Sequence, residues 1–160
     1  MTDPELFVLA RALHVFAVVI WIGGVAFVTL ILLPALMQNY QGASRYALFE
    51  QLEHRFVPIA KLTTLIAGIS GFYMLYILNG WQRYQQIEHW WLHAMTFIWL
   101  MFSFILFIAE PLFLHAWFKK HSTNSPEKTF KYLVAMHRIL LTVSLITILG
   151  AVAGSHGLMF

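Results

Sequence analysis

The sequence predicts an all-α protein, an integral membrane four-helix bundle, and three observations predict it. Hydrophobic residues make up 60% of the 160-residue chain and charged residues only 11%, with a mean hydropathy of +0.72. Soluble domains carry roughly 25% charged residues. Four apolar runs are each long enough to cross the ~30 Å hydrocarbon core of a bilayer. None alternates as a strand would, and a backbone crossing lipid must satisfy its own hydrogen bonds, so the runs read as helices. The chain, 1–160, is a single transmembrane domain whose solvent is lipid.

The first helix is expected over 6–37, around RALHVFAVVIWIGGVAFVTLILLPAL. The opening MTDPELF is acidic, and the apolar run behind it is too long for a signal-peptide core, so no cleavable signal is expected. A polar stretch, MQNYQGASRYALFEQLEHRF, follows as a connection with room for a short interfacial helix. The second helix is expected over 54–78, the third over 89–118 and the fourth over 128–155. NGWQRYQQIEHWW and KKHSTNSPEK join them. Tyr76, Trp81, Tyr84, Trp90, Trp91, Trp117 and Tyr132 sit at helix ends, as an aromatic belt would place them.

Cations orient the bundle. Arg45, Arg55, Lys61, Lys119, Lys120, Lys128, Lys131 and Arg138 fall on the side of the first and third connections, against Arg11 and Arg83 on the other. Such a bias puts the basic side in the cytoplasm and both termini in the periplasm. The basic balance is therefore topological, and no nucleic-acid partner is expected. The absence of cysteine excludes disulfides and thiolate metal sites.

Depth along each helix then sorts the histidines. At ~1.5 Å per residue, His14 lies about 16 Å outward of the centre of its run and His93 about the same distance outward on the third helix. Two imidazoles at one depth and one side suit the axial ligands of a single b-type haem. Ala17, Trp21 and Gly24 follow His14 on one helical face, where small residues would admit a porphyrin and Trp21 would cover its edge. Phe97, Leu100 and Phe104 continue below His93 as a candidate apolar wall. The competing reading makes His14 an interfacial hydrogen-bonding residue and the Gly23–Gly24 pair a helix-packing feature.

A second group lies toward the basic side. Lys61, Glu110 and His137 each fall about 9–10 Å inward of their helix centres, with Arg138 beside them. Charges at that depth must be paired or wetted, so they are expected to face one another. They read as a proton relay through Glu110 and Lys61, as a second haem or metal site with His54 and His137, or as a structural ion-pair network. Pro111, after Glu110, removes a helix donor and is expected to kink the third helix. His115 and His156 are alternative ligands on the two sides, although His93 and His115 lie about 33 Å apart along one helix. A second haem is therefore the weaker expectation.

No phosphate-binding loop, HExxH or GxSxG motif occurs. Met74 and Met95 lie toward the outer side, where a thioether either serves Cu(I) or fills a gap in the core.

These residues carry a family resemblance that spans most of the chain. ALHVFAVVIWIGGVAF resembles the first helix of the copper-resistance protein D (CopD) family and its HemJ-like relatives. HRFVPIAKLTTLIAGISGFYML resembles their second helix. WWLHAMTFIWLMF resembles the third, in which a tryptophan-rich start leads to a histidine. The resemblance implies a small multi-pass protein of the bacterial inner membrane. HemJ-like members bind haem and oxidise protoporphyrinogen, whereas CopD members are associated with copper uptake or tolerance. His14 matches the first-helix histidine of the HemJ-like pattern and His93 the one opening the third helix. After His93 the chain has AlaMet where the relatives place a lysine, and its fourth helix reads MHRILLTVSLITILGAVAG in place of a WNEVP-type start. These departures speak against protoporphyrinogen oxidation and leave haem binding.

The leading expectation is a haem b protein for electron transfer, ligated by His14 and His93. Quinol, a porphyrinogen or a redox protein would be its partner, and a homo-oligomer is open. Six-coordinate bis-imidazole iron suits electron transfer. The rival expectations are copper passage using the same histidines with Met74 or Met95, and a non-catalytic subunit of a larger membrane complex.

Overall fold

The computed structural model describes residues 3–158, apart from the side chains at 43, 115, 119 and 122–124. Four long helices make up nearly all of it: α1, Asp3–Asn39; α2, Gly42–Ile77; α3, Ile87–Leu114; and α4, Pro126–Ser155. A further helical stretch, His115–Asn124, extends α3. All four are long and apolar enough to cross a membrane, and no strand occurs among the described residues. The protein is thus a multi-pass membrane helix bundle. Short turns make neighbours antiparallel, with α1 along α2, α3 along α4, and α4 closing against α1 and α2. Both termini and the 79–86 connection lie at one end, here the termini end; the other, with eight of the ten cations, is the basic end.

One expected connection is not a connection. The polar stretch between the first two helices is the start of α2, which begins two residues after α1 ends, at Gly42 with φ +58°. The stretch is helical because its apolar residues recur every three or four positions. Tyr46 and Phe49 are buried with Leu33, Leu36, Phe118, Phe130, Leu133 and Val134 in a basic-end core. The second core lies in the membrane interior and contains Ala17, Trp21, Ala67, Ile98, Phe102, Leu140 and Leu141.

Prolines explain the irregular helix geometry. Lacking an N–H, proline cannot close the i→i−4 bond. Before Pro34, α1 widens to π geometry over Val28–Leu32, and the Leu33 N–H reaches back to the Val28 carbonyl. Around Pro111 the same widening spans Ile105–Leu114, where a kink was expected. Pro126 takes the first turn of α4, where no donor is needed.

Large rings seated on glycines set the helix spacing. A methyl group at Gly24 would overlap the Phe56 ring, one at Gly68 the Trp99 indole, and those at Gly150 and Gly154 the indoles of Trp90 and Trp91. Trp90 and Trp91, expected in the aromatic belt, are instead wedged against α4. Tyr76, Trp81, Trp117 and Tyr132 remain exposed at helix ends. At the basic end Arg45 clamps three elements. Its guanidinium donates to the Tyr40 carbonyl (2.9 Å) and Glu127 (2.9 Å) and lies over the Phe130 ring (5.1 Å).

Candidate functional site

The α1 face that carries His14 packs onto α2. Ala17 is fully buried and Trp21 nearly so, while Gly24 accepts Phe56 from α2. His14, half-buried, sits where α2 is lined by small residues: Ala67, Ser70 and Gly71. Its Nδ1–H donates to the Ala67 carbonyl at 2.8 Å and lies 3.3 Å from Ser70 Oγ. A side chain at Gly71 would come within 3.2 Å of His14 Cε1, so the ring would have to shift by a few tenths of an ångström. A hydrogen bond from Nδ1 fixes the tautomer in which Nε2 carries a free lone pair, the state of a metal-binding imidazole.

His93 has other surroundings. It is exposed at the start of α3, edge-on to Tyr84 at 5.2 Å. Phe97, Leu100 and Phe104, four, seven and eleven positions further on, are 63%, 53% and 51% exposed. These four share the lipid-facing side of α3, so the expected apolar wall looks out of the bundle. The inward side carries Leu92, Ile98 and Phe102, with Met95 one turn before Trp99 on the same side. The His14 and His93 rings therefore do not converge inside one chain. Their helices meet further in, where Trp21 and Phe102 pack edge to face at 4.9 Å. Trp21 is thus a floor beneath His14, about 10 Å along the helix, and does not form the edge of a slot.

Met74 also shares the α2 side that His14 packs on. It lies one turn beyond Ser70 toward the termini end and is half-buried. Because Nδ1 of His14 is bound to the Ala67 carbonyl, Nε2 is the ring nitrogen left for another partner. His14, Met74 and Met95, on three different helices, are each half-buried.

Toward the basic end the expected grouping of charges is observed in part. Lys61 Nζ lies 3.3 Å from Glu110 Oε2, with the two side chains 30% and 28% exposed. Glu110 falls within the π-helical stretch, which alters its angle on α3. His137 is turned in and packs edge-on to Phe49 at 5.8 Å, with Nδ1 donating to its own helix at Leu133 (2.9 Å). His54 is exposed beside Glu50, Gln51 and Arg55. Five residues separate it from Phe49, which turns it about 140° away, so His54 and His137 are not brought together. Glu53, one turn from Phe49, faces inward near Glu110 and was not singled out from the sequence. The signal was its helical spacing from Phe49 and Lys61, hidden by reading the stretch as a connection. His156 is exposed at the end of α4, bonded to Val152, and the His115 side chain lies outside the described residues. Among the described residues, no three His, Cys, Asp or Glu side chains group as a metal site.

Fold and site together define the class: a four-helix multi-pass membrane protein with a tautomer-fixed imidazole in one half and an ion pair in the other. No family model matches the chain, and neither a curated protein nor a solved structure matches it.

Proposed function

We propose that this protein binds Cu(I) in the termini-end half of the membrane, through His14 Nε2 with the thioethers of Met74 and Met95, and that it serves copper uptake or tolerance. The observation that carries the reading is the 2.8 Å bond from His14 Nδ1 to the Ala67 carbonyl, which leaves Nε2 as the coordinating nitrogen. Thioether and imidazole donors select Cu(I) over harder ions. The cation bias puts this half on the periplasmic side of a bacterial inner membrane. The resemblance to CopD proteins in the first three helices agrees with it. Purified protein in nanodiscs is expected to take up one Cu(I) in competition with a chromophoric chelator. His14→Ala should lower the affinity at least 100-fold, with Met74→Leu and Met95→Leu each near 10-fold. Wild-type affinity in His14→Ala, with the fold intact, overturns the proposal.

The second reading is a b-type haem with His14 as an axial ligand, in electron transfer with a quinol or a redox protein. The His14–Ala67 bond suits an axial imidazole equally well. Fit is poorer for the rest of the group. The small-residue face beside His14 is occupied by α2, and His93 lies on the lipid-facing side of α3. A reduced α-band at one haem per chain, lost in His14→Ala and kept in the two methionine variants, would favour this reading over copper. Dependence of that band on His93 would require a ligand from outside the same chain, and so a homo-oligomer.

A further inference from the structure

The buried and half-buried serine and threonine hydroxyls of the membrane-spanning helices follow one rule here, with two exceptions. Thr29, Thr63, Ser70, Thr96, Ser144 and Thr147 each donate to the carbonyl one turn back on their own helix, at 2.5–3.0 Å. Thr64 and Ser103 have such a carbonyl available and do not use it. Their Oγ atoms are buried without a hydrogen-bond partner, and so is the Trp21 indole N–H. Thr64 is fully buried and Trp21 is 4% exposed.

The three groups come from three helices, and the contacts of their neighbours bring them to one region of the bundle. The Trp99 indole donates to the Thr64 carbonyl at 2.9 Å, which ties α3 to α2 there. Ser103 lies one turn along α3 from Trp99, on the same α2-facing side. Trp21 packs against Phe102, the neighbour of Ser103, and shares its core cluster with Ala67, one turn from Thr64. A buried polar group without a partner costs about 1–3 kcal/mol, and lipid provides no substitute. One indole donor and two hydroxyls, each able to donate and accept, are the two to four contacts an internal water needs.

We propose that Trp21 Nε1, Thr64 Oγ1 and Ser103 Oγ bind internal water at the middle of the bundle. The next charged groups toward the basic end on these two helices are Lys61, three positions from Thr64, and its partner Glu110, seven from Ser103. The water is therefore a hydrated extension of that ion pair into the bundle centre. The inference stands independently of any metal at His14.

The test uses the full chain in nanodiscs with 15N-tryptophan, the Trp21 indole resonance being assigned by Trp21→Phe. A cross-peak between that indole proton and water is expected. It should disappear in the near-isosteric double variant Thr64→Val/Ser103→Ala, with helical content unchanged. The Trp99 indole, bonded to protein, serves as the control without a water cross-peak. Absence of the Trp21 cross-peak in the wild type overturns the proposal, as does its persistence in a folded double variant. Should the double variant fail to fold, the single Ser103→Ala variant is expected to weaken the cross-peak at least twofold, and an unchanged intensity is equally fatal.

Discussion

The two halves of the bundle are held together by different physics. In the termini-end half, rings sit in gaps left by glycines: Trp99 on Gly68, Trp90 on Gly150, Trp91 on Gly154. His14, a titratable side chain turned inward there, is held by neutral hydrogen bonds to α2. In the basic-end half, ion pairs connect elements far apart in sequence: Lys61 with Glu110, Arg45 with Glu127. Lipid supplies no hydrophobic drive between helices, so association must come from close packing or polar contacts. Each half uses mainly one of the two. The packed half brings no ion pair between its helices among the described residues, while the other half admits charge in pairs.

The largest expected effect breaks the packed half. Gly150→Leu forces a side chain into the Trp90 indole and should destabilise the bundle by about 3 kcal/mol or more, at the upper end for overpacking. Thermal unfolding in detergent would report it, and Trp90→Ala in the same background should restore part of the loss. A Gly150→Leu protein as stable as the wild type would remove the packing half of the comparison.

Next comes the charged half. Lys61→Met leaves Glu110 without its partner and should cost about 1–3 kcal/mol, below the value for a fully buried pair because both groups keep some exposure. The double variant Lys61→Met/Glu110→Met should recover most of this. Equal losses in single and double variants would show that packing, and not charge, holds α2 to α3 there.

A smaller loss is expected at the clamp. Arg45→Lys keeps the charge but cannot contact Tyr40, Glu127 and Phe130 together, and should cost about 1–2 kcal/mol. Glu127→Gln should cost under about 1 kcal/mol because Glu127 is largely exposed. If the order of these two is reversed, the bridge itself and not the guanidinium geometry secures the elbow. Smallest is Ser70→Ala, which leaves the His14–Ala67 bond and should change stability by about 0.5 kcal/mol at most. A large loss there would mean that Ser70, and not Ala67, positions His14.

Helix existence was readable because it depends on local composition. Four apolar runs need no knowledge of neighbours. The start of α2 was missed for a related reason: Tyr46, Phe49 and Glu53 have helical spacing, but polar composition read alone suggests a connection. The site was half legible. His14 and its face of small residues were visible, as was the Lys61–Glu110 pairing by depth. That His93 points to lipid was not, because depth along a helix says nothing about rotation around it.

By itself, then, the sequence determined four membrane-spanning helices, their alternation, the basic end and the level of each polar residue. These follow from hydropathy and from a fixed rise per residue. Only the tertiary structure decided which faces meet: the His14 face on α2, Met95 inward and His93 outward, and three orphaned polar groups at one level. Facing is set by how glycine gaps accept rings from other helices, a match between distant positions that no single stretch contains.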